Sequence, residues 1–112
     1  MVARAPPVQL RRSTMAQFTV RIELHSATSE QYTTLHTLME ASGFRRVIRG
    51  VDASGSQGWW QLPIGEYDGD FNETAVQVRD RAKLISDAVK TGAWVLVTQV
   101  ADRSWTTQKI QG

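Results

Sequence analysis

Hydrophobic and polar positions alternate without a break from Gln17 to His25. Phe18, Val20, Ile22 and Leu24 share one side, and Thr19, Arg21, Glu23 and His25 share the other. A two-residue period is that of a strand with one buried face. The period then lengthens. Tyr32, Leu35, Leu38, Met39 and Ser42 fall on one helical stripe, and Thr28 with Gln31 three residues later matches a capping box. Gly43 suits the residue that closes such a helix, so the pattern predicts a helix near 29–42. Phe44 to Arg49 predicts a short strand, and Gly50 to Gly58 has the composition of a hairpin loop. Trp59 to Leu62 returns as a strand that Pro63 ends.

Ile64 to Phe71 reads as a loop rich in Gly65, Asp68, Gly69 and Asp70. A second capping box, Thr74 with Gln77, opens a helix whose stripe is Val78, Ala82, Ile85 and Val89, with Gly92 beyond its end. Ala93 to Val100 is β-branched and apolar, the profile of a buried strand. Asp102-Arg103 turns the chain, and Ser104 to Ile110 around Trp105 can add a short fifth strand. The order strand–helix–strand–strand–helix–strand predicts an α+β fold of the ferredoxin-like βαββαβ type. Its sheet has four antiparallel strands, the first and third in the centre. Ile22, Leu35, Ile85 and Leu96 are its expected core.

Composition changes this picture at one end only. The chain has 112 residues, 41% hydrophobic content and no cysteine. One domain fits that length, and disulfides, thiolate zinc sites and cysteine nucleophiles are excluded. The formal net charge is +2. Arg4, Arg11 and Arg12 lie in the first fourteen residues with no acid, leaving ten basic against eleven acidic residues in the remainder. Residues 1–15 therefore read as a disordered basic extension, an arm for phosphates or an upstream leader before a start at Met15. Residues 16–112 read as the domain. No apolar run approaches the roughly 20 residues that span a bilayer, and no secretory signal is evident, so the cytoplasm is expected.

No P-loop, dinucleotide fingerprint or paired-histidine metal motif is present, and neither cofactor nor metal is expected. Weaker constellations remain. His25 can act as a general acid or base, or be a surface residue before a turn. His36, on the flank of its helix stripe, reads as a boundary residue ahead of a ligand. Arg45, Arg46 and Arg49, with Arg21 on the same sheet face, can grip phosphates or simply solvate an edge strand. Trp59 and Trp60 must point to opposite faces, so one lies on the outer sheet face, where Trp94 can join it, to stack a base or to make a dimer interface. Glu66, Asp68 and Asp70 read as a solvated loop, with a hard cation as the alternative.

The segments Val20-Arg21-Ile22-Glu23-Leu24-His25, Tyr32 to Leu38, Gly43-Phe44, Ile48-Arg49-Gly50, Leu62-Pro63 with Glu66-Tyr67, Val78-Arg79-Asp80 and Val95-Leu96-Val97-Thr98 carry a resemblance. From Phe18 to about Trp105 the chain resembles the short bacterial proteins grouped with GhoS, the antitoxin of a type V toxin–antitoxin pair. The resemblance implies a ferredoxin-like fold related to the CRISPR adaptation nucleases and VapD, and an endoribonuclease that cleaves the toxin's messenger RNA. Where the CRISPR relatives carry, near the end of strand one, an aspartate that contributes to metal-dependent cleavage, this chain reads His25-Ser26, and no catalytic residue is carried over.

The expectation is a cytoplasmic, metal-free endoribonuclease antitoxin. His25 and Arg45 are the catalytic candidates, and Arg21, Arg45, Arg46, Arg49 and Trp59 the RNA-binding set. The expected partners are single-stranded toxin mRNA and a second copy in a homodimer, with neither DNA nor membrane. The alternative is a non-catalytic RNA- or protein-binding dimeric module on the same fold.

Overall fold

A computed structural model describes residues 2–4 and 15–111. Its elements are β1 (Val2–Arg4), β2 (Ala16–Glu23), α1 (Ser29–Ala41), β3 (Val47–Asp52), β4 (Gln57–Gln61), β5 (Glu66–Phe71), α2 (Ala75–Val89), β6 (Trp94–Gln99), β7 (Ser104–Thr106) and β8 (Lys109–Gln111). The fold is α+β, with two helices and two antiparallel sheets. One sheet has three strands in the order β5-β2-β6, and the other has five in the order β7-β1-β3-β4-β8.

Both helices start where their capping boxes lie. Thr28 Oγ1 accepts from Gln31 N while Gln31 Oε1 accepts from Thr28 N, and Thr74 and Gln77 repeat the exchange. The helices cover one face of the three-stranded sheet. Phe18, Val20, Ile22 and Leu24 meet Leu35, Met39, Val78 and Ala82 there in a buried core that also takes Phe44 and Tyr67. Burying such a side chain contributes about 1.5–3 kcal/mol, so this cluster is the main source of stability.

The four-stranded sheet expected from the sequence is not what forms. Its predicted third strand, Trp59 to Leu62, belongs to the second sheet, and the position beside β2 is taken by Glu66–Phe71. That segment alternates after all. Tyr67, Gly69 and Phe71 face the helices, and Glu66, Asp68 and Asp70 face away. Gly69 hides the pattern because an added Cβ would sit 2.4 Å from the Phe71 ring. The preceding Gly65 is also constrained. Its φ is +87°, and a Cβ would meet Ile22 O at 2.6 Å, where the chain closes onto β2 through Ile22 N–H to Gly65 O. The predicted strand from Phe44 contributes one isolated bridge, Arg45 to Asp68, before the chain departs as β3.

Two further expectations change. Val2–Arg4, placed in a disordered arm, pairs with β3 and β7, and Ala3 is buried with Ile48, Trp60 and Leu62 against Trp105. Three residues suffice because both neighbours supply ladders. Residues 5–14 of that arm lie outside the described residues. Leu96, expected in the core, is 62% exposed. β6 is apolar on both faces, so its pattern did not reveal which set meets the helices. Val95 and Val97 do, and Trp94 and Leu96 point outward.

Candidate functional site

The face of the three-stranded sheet away from the helices has two ends of different chemistry. At one end the β2 residues Gln17 and Thr19 lie beside Asp68 and Asp70 of β5. Asp68 is fully buried and holds a network together. Its Oδ1 accepts from Arg103 Nη1 at 2.9 Å, and its Oδ2 accepts from Arg45 Nη2 and Gln17 Nε2, each at 3.1 Å. Arg45 also donates to Asp70, and Arg103 to Thr19 Oγ1. Arg45 leads the chain from this sheet toward β3, and Arg103 leads it from β6 toward β7. One buried carboxylate thus ties both exits to the sheet. Burial opposes the charge on Arg45, but the Asp70 and Asp68 carboxylates outweigh it and raise its pKa. The guanidinium is committed to structural pairing. Among the described residues no three His, Asp or Glu side chains group to hold a metal, and Glu66, Asp68 and Asp70 do not converge.

At the other end the face is open. Arg21 stands on β2 opposite Glu66 on one side and Leu96 on the other, and Glu23 stands opposite Trp94. A shallow cleft of about 330 Å³ is lined by Arg21, Glu23, Trp94, Val95 and Leu96. Trp94 is 67% exposed. The His25 ring meets it edge-on, with centroids 4.5 Å apart and an interplanar angle of 88°. His25 Nε2 also lies 3.5 Å from Glu23 Oε2. This end therefore presents an open aromatic face, a guanidinium and an imidazole beside a carboxylate.

No protein-family model, curated protein or solved structure matches this chain. The arrangement of side chains carries the functional argument instead.

The arginines expected to act together are dispersed. Arg21 is at the open end. Arg45 is in the Asp68 network. Arg46 lies on the helix side, near His36 and Tyr67: burial lowers the His36 pKa and Arg46 adds to that, while burial raises the Tyr67 pKa against the Arg46 charge. Arg49 stands on the second sheet opposite Trp59 and donates to Gln57 Oε1. Trp59 is half-buried, with the Arg45 guanidinium 5.8 Å from its ring centre. Trp60, its neighbour, is fully buried against Trp105. His36 is a boundary residue whose Nδ1 lies 2.6 Å from Tyr67 Oη.

The sequence reading allowed Trp94 a place on the outer sheet face but left this most exposed tryptophan out of the RNA-binding set, and it missed Asp68 as a buried charge. For Trp94 the signal was available, since Glu23 and His25 mark the outward face of the partner strand. For Asp68 no local signal existed, because its cationic partners are 23 and 35 residues away.

Proposed function

We propose that this protein binds single-stranded RNA on the outer face of its three-stranded sheet, at the end formed by Trp94, Arg21 and His25. The observation that carries the reading is the open Trp94 ring standing beside His25, on the same face as Arg21. An unpaired base can stack on an exposed indole, and a guanidinium one strand away can take the adjoining phosphate. A face already crowded by helices or committed to ion pairs could do neither.

The resemblance to the GhoS-like antitoxins supplies the substrate class, a toxin's messenger RNA in the cytoplasm, and makes cleavage the activity to test. The strand order β5-β2-β6, with a single bridge from Arg45 to Asp68 of β5, supports a ferredoxin-like sheet whose fourth strand has shrunk to one bridge. His25 is the group that could move a proton at a ribose oxygen, with Glu23 orienting its ring. Arg45, paired with Asp68 and Asp70, serves the frame and not the phosphate.

Anisotropy of a labelled single-stranded RNA tests the site. Trp94→Ala should weaken binding by about 1–3 kcal/mol, roughly 5- to 150-fold, and Arg21→Ala should weaken it and flatten its salt dependence. Loss of cleavage in His25→Ala with binding kept would assign the proton transfer. Binding without cleavage by the unaltered protein would make it a binding module. Unchanged affinity in both Trp94→Ala and Arg21→Ala would remove this face from the function.

A further inference from the structure

Each sheet ends in two edge strands, and the four edges are not alike. β7 and β8 are three residues long, and β8 carries Lys109. β5 carries Glu66, Asp68 and Asp70, and its outer side is engaged by the Arg45 bridge, with Arg45 N–H to Asp68 O at 2.7 Å and Asp68 N–H to Arg45 O at 2.8 Å. These are the ordinary protections of a sheet edge: shortness, charge and cover. β6 has none of them. It runs for six residues, Trp94–Gln99, without a charge, a proline, a glycine or a bulge. Among the described residues no strand pairs with its far side.

The hydrogen-bond phase shows what that edge offers. Val100 N–H donates to Gln17 O at 2.8 Å. Main-chain groups alternate along a strand, so Thr98, Leu96 and Trp94 also turn theirs toward β2. Val95, Val97 and Gln99 turn their N–H and C=O outward. That row is self-complementary. With a two-fold axis at Val97, each copy's Val97 faces its mate and Val95 faces the partner's Gln99. Every outward donor then meets an acceptor, giving about six main-chain hydrogen bonds. On the outer face Leu96 comes opposite the partner's Thr98, and Trp94 opposite the partner's Val100. No like charges meet, because the segment carries none.

We infer that β6 is a homodimerisation strand, pairing antiparallel with β6 of a second copy to make one continuous sheet of twice the width. The helices of both copies then lie on one face and both Trp94 clefts on the other. The inference rests on the open edge alone and stands whether or not the clefts bind RNA.

The test is the oligomeric state of the full chain without RNA. Sedimentation should show a dimer at tens of micromolar that dissociates on dilution. Thr98→Lys sets a charge on the exposed face beside the axis. Gln99→Pro deletes an outward N–H and breaks no bond to β2. Each should weaken association at least about tenfold with the melting temperature of the monomer unchanged. In the unaltered protein, amide exchange at Val95, Val97 and Gln99 should slow as concentration rises, while Leu96 and Thr98 stay protected throughout. A monomer at roughly 100 µM, a dimer that both variants retain, or edge amides protected equally at every concentration would overturn the inference. The last result would place the occupant of the edge within the same chain.

Discussion

Replacing Asp68 by asparagine removes one negative charge from a site that solvent does not reach. The side chain keeps its shape, so no cavity opens and the effect is electrostatic. Arg103 is only 15% exposed and, among the described residues, pairs with no second carboxylate; it also donates to Thr19 Oγ1. Its charge would be left buried and unneutralised, and breaking a buried pair from one side costs about 3–5 kcal/mol. Arg45 suffers less, since it is 37% exposed and keeps Asp70 at 3.1 Å. The asparagine amide also turns a donor toward one of the guanidinium groups or toward Gln17. About 3 kcal/mol is therefore expected, a large share of the roughly 5–15 kcal/mol that holds a small domain folded. With a urea m value of about 1.5–2 kcal/mol/M, the midpoint should fall by roughly 1.5–2 M. Asp70→Asn is the control. Its carboxylate is 42% exposed, and a surface pair of that kind contributes about 0–1 kcal/mol. The double variant Asp68→Asn with Arg103→Leu should recover part of the loss, because it removes the stranded charge as well. A loss below about 1 kcal/mol for Asp68→Asn, or equal losses at positions 68 and 70, would refute the network as the tie between the sheets.

A chain beginning at Met15 should melt at least about 5 °C below full length, since it loses β1 from between β3 and β7 and uncovers the pocket of Ala3 beside Trp60 and Trp105. A melting point within about 2 °C would show that β1 contributes nothing. Stability should also fall as the pH drops below 6.5. Burial lowers the pKa of His36 from that ordinary value, Arg46 adds to the effect, and Glu40 opposes it. The unfolded chain therefore takes up the proton first, and the contribution is complete above pH 6.5 and lost as pH falls through the lowered folded value. His36→Asn should flatten this part of the stability profile in chemical unfolding, and an unchanged slope would exclude His36 as its source.

The elements that could be read correctly from residue patterns are those specified within one short window. β2 announces itself by strict alternation, and both helices by a stripe, a capping box and a closing glycine. Each signal depends only on neighbours a few positions away, because helical and extended backbones impose their periods locally. β6 was legible as a strand for the same reason. Its inward face was not, because apolar residues occupy both sides and the covering helix alone distinguishes Val95 from Leu96.

Pairing and burial follow a different logic, since they depend on which distant segment arrives. β5 and the Trp59 strand compete for the place beside β2. β5 takes it although its outward residues are acidic, because Arg45 and Arg103 neutralise Asp68 from far along the chain. The arginines that look clustered in sequence separate for a related reason. A strand sends adjacent residues to opposite faces, and the departure of β3 to a second sheet carries Arg49 away from Arg21. The three residues of β1 carry no readable period at all. They become a strand because β3 and β7 leave a gap that their backbone and the small side chain of Ala3 can fill.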